Sequence, residues 1–191
     1  GALKDYFERE KSRMAPMDVS DVAYDAFLIN GKQSSSLKGK PGEKIRLRVI
    51  NAGASTYFYL HSSTGPMTIV AADGPAVQPL KTKRLLIGMA ETYDVIITIP
   101  ASGSWEVRAT AQDNSEHASV FLGNGKPHHV SPLPSPNLYS MDHMLEAAMG
   151  STETMDDTNS IRPSAPYQKL RSYRSTTLPK SAPVREIELR L

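Results

Sequence analysis

Apolar and polar side chains alternate along several short runs of this chain, and turn residues cut the runs at intervals of about 10–15 residues. In Ile45-Arg46-Leu47-Arg48-Val49 the apolar side chains fall on one face of an extended strand and the arginines on the other. Tyr93, Val95, Ile97 and Ile99 share a face opposite Asp94 and Thr98, and Trp105, Val107 and Ala109 do so against Glu106 and Arg108. Leu85, Ile87 and Met89 repeat the pattern more weakly, and Ala118, Val120 and Leu122 close the series. Between the runs lie Asn30-Gly31, Lys40-Pro41-Gly42, Asp73-Gly74-Pro75 and Ser102-Gly103, which favour tight turns. About seven strands at this spacing predict an all-β fold, a Greek-key sandwich or barrel, in preference to βαβ units.

The pattern does not fill the chain. Residues 22–123 form the predicted sandwich domain. Eight of the 14 prolines fall between Asn124 and Pro183, in a stretch rich in Ser, Thr and Asn, so residues 124–183 read as a long linker. Part of it is helical by its spacing: Met141, Met144, Leu145, Ala148 and Met149 share a face, with Ser140 as N-cap and Gly150 as stop. The linker is expected to wrap the sandwich through Tyr139, Met144, Leu145 and Tyr167. Residues 1–21 read as a second linker, with Leu3, Phe7 and Tyr6 on one side of a short helix. Residues 184–191 read as a lone strand, with Ile187, Leu189 and Leu191 on one face. That strand either adds to an edge of the preceding sheet or opens a further domain.

Composition removes several function classes. The net charge of +2 lacks the basic excess of a dedicated nucleic-acid binder. No apolar run is long enough to span a membrane as a helix, and the first residues, Gly1-Ala2-Leu3-Lys4-Asp5, lack the apolar core of a signal peptide. With no cysteine in the sequence, a disulfide framework, a thiol nucleophile and a type 1 blue-copper centre are all excluded from this chain.

The residues able to carry chemistry are dispersed. The five histidines, His61, His117, His128, His129 and His143, show no HxH, HxxxH or HExxH spacing. His128 and His129 are adjacent, so in an extended segment their rings diverge, and they read as a solvated pair in the linker. His61 reads as structural near a strand end and His117 as a loop residue. Neither a phosphate-binding glycine loop nor a GxSxG elbow is present. Glu91 and Asp94 fall on opposite faces of an alternating segment, which disfavours paired acid–base work. Asp73 reads as a turn former whose carboxylate accepts from nearby backbone N–H groups. Lys38, Lys40, Lys44, Arg46 and Arg48, with Lys81, Lys83 and Arg84, read as solvated strand faces. One cluster is left with metal character: Met141, His143, Met144, Met149 and Met155 offer thioethers and an imidazole, the soft donors that select Cu(I). The first reading of the same stripe is an apolar face that docks the linker on the sandwich, with Cu(I) loading as the alternative.

The stretch from Asp18 to Lys32, DVSDVAYDAFLINGK, resembles the opening of the second cupredoxin domain of multicopper oxidases, and more narrowly of their bacterial copper-resistance branch. Pro41-Gly42-Glu43-Lys44-Ile45-Arg46-Leu47-Arg48-Val49-Ile50-Asn51-Ala52 is similar to that domain's next strand. Val70-Ala71-Ala72-Asp73-Gly74, Val77-Gln78-Pro79 and Ala90-Glu91-Thr92-Tyr93-Asp94-Val95-Ile96 follow in the family's order. Val184 to Leu191 resembles the first strand of the third domain, and the Met/His linker resembles the branch's Met-rich insertions. The resemblance implies that the type 1 copper sits in the third domain and the trinuclear cluster between the first and third, on HxH and HCH elements. None of these motifs stands in this sequence, so no copper ligand carries over. It implies a copper-free domain that holds flanking cupredoxin domains of the same polypeptide in register, in a periplasmic or secreted parent. That parent would use copper to oxidise Cu(I) or phenol-like substrates while reducing dioxygen to water. The fragment itself is expected to be no enzyme, to hold no cofactor, and to self-associate if apolar interface surface is exposed. Two other functions compete: a Cu(I)-handling module built on the Met/His linker, and a partner-binding β-sandwich unrelated to oxidases.

Overall fold

The alternating runs are strands in the computed structural model, which describes residues 24–134 and 165–175. Ten strands follow one another: β1 (Ser34–Leu37), β2 (Lys44–Ile50), β3 (Phe58–Ser62), β4 (Met67–Ala72), β5 (Ala76–Thr82), β6 (Arg84–Ile87), β7 (Thr92–Thr98), β8 (Gly103–Ala111), β9 (His117–Asn124) and β10 (Pro127–His128). They form two sheets packed face to face. One has the order β1-β9-β8-β3-β6, with β10 also paired to β8; the other has the order β2-β7-β4-β5. Apart from the hairpins β4–β5 and β8–β9, consecutive strands from β1 to β9 alternate between sheets, as a Greek-key sandwich requires.

Inward side chains from both sheets make the core. Met67 and Ile69 of β4, Val95 and Ile97 of β7, Val107 of β8 and Leu122 of β9 are almost fully buried. The turns expected from sequence take the left-handed backbone they need: Asn30 and Gly31 have φ of 49° and 78°, Asp73 and Gly74 of 47° and 98°. Asp73 accepts not within its own turn but from the backbone N–H of Thr92 at 2.8 Å, joining the β4 end to β7.

Two differences from the sequence reading follow from residues beyond 123. The chain does not leave the sandwich there. Pro127 and His128 pair in parallel with Ser104 and Trp105, and Val130 and Leu133 are buried. Leu133 packs with Tyr59 and Leu86 on the outer face of the larger sheet. That second apolar layer explains the weak alternation at residues 85–89: Leu85 and Ile87 face the core while Leu86 faces Leu133. Met89 lies past the strand and is exposed.

The sandwich is closed on one side and open on the other. Where β5 passes through Lys83 into β6, the two sheets are joined covalently. The outer edge of β5 is covered by residues 165–175. Gln78 N–H donates to the Arg171 carbonyl at 2.8 Å, Tyr173 N–H donates to the Ala76 carbonyl at 3.1 Å, and Leu170 packs on the core. Tyr167, expected to anchor this segment, is 54% exposed; Leu170 takes that role. Tyr139, Met144 and Leu145, both sequence-predicted helices and the strand at 184–191 lie outside the described residues.

Candidate functional site

Two places gather unusual chemistry. The first is a polar cluster on the outer face of the larger sheet. In an antiparallel pair, residues opposite one another share a face. The register places His61 opposite Arg84 and Arg108, and Arg108 opposite Ser119. Glu106, two residues before Arg108, points to the same side. Its carboxylate is almost wholly buried, and its oxygens are crowded with donors. Arg108 donates from Nε to Oε1 at 2.7 Å and from Nη2 to Oε2 at 3.0 Å. Ser119 Oγ donates to Oε1 at 2.5 Å, and the Val130 backbone N–H donates to Oε2 at 3.0 Å. His129 Nδ1 lies 3.2 Å from Oε2. Burial pushes this carboxyl up, but the hydrogen bonds from Arg108, Ser119 and Val130 outweigh it and hold it at about 2.

Beside it, His61 Nε2 lies 3.2 Å from Thr110 Oγ1. Burial, reinforced by the neighbouring positive charges of Arg84 and Arg108, drives the imidazole down to about 4, so it stays neutral near pH 7. A carboxylate saturated with donors is a poor base, and a histidine this hard to protonate is a poor acid at neutral pH. The cluster therefore holds structure. Ser63 completes it: its Oγ donates to the His128 carbonyl at 2.7 Å and accepts from the Glu106 N–H at 2.9 Å. His128 stacks on Trp105, with ring centroids 3.9 Å apart and planes 7° from parallel, and Phe121 meets His129 edge-on at 5.4 Å. His128 thus binds the segment after β9 to the sheet, whereas His129, near Glu106 through one ring nitrogen, is exposed as the sequence reading had it.

The second place is the open side of the sandwich. There β1 ends one sheet and β2 ends the other, and an apolar cleft of about 740 Å³ lies between them. Leu37, Leu47, Val49, Phe58, Val107 and Val120 are among the residues lining it. Its rim is held by Asn51, which sequence reasoning did not single out. The Asn51 side chain donates to the carbonyls of Thr56 at 2.8 Å and Ile87 at 3.2 Å, and accepts from Gly53 N–H at 2.9 Å. A polar residue after the last alternating apolar of a strand was the only signal for it.

The remaining sequence candidates are spread apart. Glu91 accepts from Gly88 N–H at 2.6 Å in a turn, while Asp94 pairs with Arg46 across β2 and β7. His117 is exposed at the start of β9. Among the described residues, no three His, Asp or Glu side chains converge to hold a metal ion. The Cu(I) candidates Met141, His143, Met144, Met149 and Met155 lie outside the described residues. The described donor set does not fit a type 1 copper centre, which needs a thiolate that the sequence lacks.

Comparison with known proteins is consistent across methods. A family model described as multicopper oxidase matches residues 2–124. Multicopper oxidase MmcO of Mycobacterium tuberculosis is 40% identical over 111 residues, covering 56% of this chain and 22% of the relative. Copper resistance protein A of Escherichia coli is 38% identical over 147 residues, covering 72% of this chain and 24% of the relative. The crystal structure of Fet3p, titled a multicopper oxidase that functions in iron import, superposes with a TM-score of 0.55 at 17% identity. It covers 69% of this chain and 28% of that one, and the likeness shows the shared fold. The chain spans about a quarter of the length of these curated relatives.

Proposed function

This chain belongs to the multicopper oxidase family, and from that premise we propose that it is a copper-free structural domain of a longer, copper-dependent oxidoreductase. The observation that carries the reading is the condition of its histidines. His61 is buried and held neutral, His128 is stacked on Trp105, and His129 is tied to Glu106. Each is engaged by a side chain of the larger sheet, His61 by Thr110, His128 by Trp105 and His129 by Glu106, and among the described residues no group of three His, Asp or Glu gathers to hold a metal ion. The reading extends to scaffolding for flanking cupredoxin domains, and the chain's share of its relatives' length, about a quarter, supports it. The parent, by the same reading, oxidises Cu(I) or phenol-like substrates, reduces dioxygen to water, and resides in the periplasm or outside the cell. Among the described residues no helix is long and apolar enough to cross a membrane.

The family match sets aside a β-sandwich unrelated to oxidases. It leaves the Cu(I)-handling module as the second reading, favoured by the soft donors crowded between Met141 and Met155. Two measurements on the purified chain separate these. Oxygen consumption with added Cu(II) and a phenolic diamine stays at the buffer blank under the structural reading, and sustained turnover refutes it. Competition for Cu(I) against a weak chelator shows no capture under the first reading and stoichiometric capture under the second.

A further inference from the structure

β2 borders the apolar cleft and pairs only with β7, so its other edge is free. In an antiparallel ladder every second pair of opposite residues exchanges backbone hydrogen bonds. Ile99 N–H donates to the Glu43 carbonyl at 2.9 Å and Asn51 N–H to the Glu91 carbonyl at 3.1 Å, so at both ends of β2 the odd-numbered positions are the bonded ones. The N–H and C=O groups of Lys44, Arg46, Arg48 and Ile50 therefore point away from β7, along the free edge. Just inside that edge, Ile45, Leu47 and Val49 point into the cleft yet are only part-buried, whereas their partners Ile97, Val95 and Tyr93 on β7 are at most 2% exposed. Unpaired backbone and half-covered apolar side chains thus run side by side for the seven residues of β2.

The opposite edge of the same sheet shows how this fold caps a strand. There an extended segment runs antiparallel to β5, with Ser172 bridged to Val77, Gln78 N–H bonded to the Arg171 carbonyl, and Leu170 packed on the core. No described segment lies along β2 in that way. The charges beside β2 select the kind of strand that fits. Lys44, Arg46 and Arg48 stand in a row on its solvent face, and Arg46 is paired with Asp94. Among the described residues Lys44 and Arg48 have no ion pair. A second copy adding through its own β2 would set two such rows at a strand spacing of about 4.8 Å, like charge beside like charge. A strand with apolar residues on the cleft side and acidic residues on the solvent side meets both the exposed Leu47 and Val49 and the unpaired cations.

We propose that the free edge of β2 takes up an extended segment of a separate polypeptide in which apolar and acidic residues alternate, the apolar ones entering the cleft and the acidic ones lying beside Lys44 and Arg48. The inference is independent of whether the domain binds copper. The probe is an end-blocked synthetic peptide of alternating Val and Glu, as long as β2, added to the full-length chain. Amide hydrogen exchange at Lys44, Arg46, Arg48 and Ile50 should slow severalfold, and the methyl signals of Leu47 and Val49 should shift while those of Leu86 and Leu133 on the far face stay in place. A peptide of alternating Val and Lys should bind about tenfold more weakly, and Arg48→Glu should narrow that gap. Methylating the peptide's backbone nitrogens should abolish binding, because the edge carbonyls then receive no donor. Equal binding of the acidic and basic peptides, binding that survives N-methylation, or no binding of either peptide would overturn the proposal. Protection of the four amides before any peptide is added would also overturn it, assigning the edge to a second copy if the protection grows with protein concentration and to another part of this chain if it does not.

Discussion

Replacing Glu106 by Gln keeps the side chain's shape and removes its charge. The wild-type carboxylate accepts four donated hydrogen bonds and has His129 Nδ1 at 3.2 Å, with Arg108 only 13% exposed beside it. The amide keeps one acceptor oxygen and turns an NH2 group toward donors. Arg108 is then buried without its counter-charge, a loss that costs about 3–5 kcal/mol. The titration argument gives a similar size. A carboxyl held at about 2 rather than 4.5 contributes about 3 kcal/mol, at about 1.4 kcal/mol per pH unit. The sign follows from the lowered pKa: this stability is fully present above pH 4.5 and is lost as pH falls toward 2. Urea unfolding of wild type and Glu106→Gln, followed by circular dichroism, should differ by about 3 kcal/mol at pH 7 and converge as pH drops below 4.5. The sole tryptophan, Trp105, stacks on His128 in the segment that Glu106 holds, so its native emission should also change in the variant. A difference below about 1 kcal/mol at pH 7 would refute the assigned role, because a loss that small is what an exposed pair gives. A difference independent of pH would show that packing, not charge, holds the segment.

Three further outcomes are expected. Histidine 61 titrates at about 4 in place of 6.5, so the unfolded chain binds its proton first and stability falls between pH 6.5 and 4; His61→Gln should flatten that limb of the pH–stability curve and leave the lower, Glu106 limb in place. At Gly103, φ is +103° and an added Cβ would meet the His128 ring at 2.6 Å; Gly103→Ala should cost about 2 kcal/mol or more and shift Trp105 emission as the stack opens. Asn51→Ala removes two donated hydrogen bonds and one accepted bond from a site 5% exposed and should lower stability by about 2–3 kcal/mol in urea unfolding, whereas a change under about 0.5 kcal/mol would mean that water replaces the side chain there.

The core strands were legible because their alternation has a single cause, one buried face. Ile45 to Val49, Tyr93 to Ile99 and Ala118 to Leu122 place their apolar members inward as read. The turns at Asn30-Gly31 and Asp73-Gly74 were legible because few residues tolerate their backbone. The outer-face cluster was not, and the reason is specific. In Trp105-Glu106-Val107-Arg108, alternation marks Glu106 as solvent-facing, and local pattern cannot know that a later segment covers it. Glu106 is in fact 1% exposed. The covering segment was itself disguised, since prolines at 127, 132 and 134 give it the texture of a linker. A second acceptor-and-donor pair on one strand face, Glu106 with Arg108, was the available hint.

How so proline-rich a segment stays attached can be worked out. Fixing residues 127–133 costs on the order of 10 kcal/mol of backbone entropy, at about 1–2 kcal/mol per residue. Its two buried apolar anchors, Val130 and Leu133, return about 1.5–3 kcal/mol each, roughly half of that. The rest must come from polar contacts. The Val130 N–H to the Glu106 carboxylate contributes about 1.5–3 kcal/mol. The Ser63 hydroxyl to the His128 carbonyl, Asn114 Nδ2 to the Leu133 carbonyl and the short ladder to β8 add about 1 kcal/mol per bond. The balance is close to even, which has a structural consequence. Apolar anchors alone would tolerate a slide along the sheet; hydrogen bonds to a single buried carboxylate do not. Glu106 therefore fixes the position of the segment at Val130, and Asn114 fixes it again at the Leu133 carbonyl.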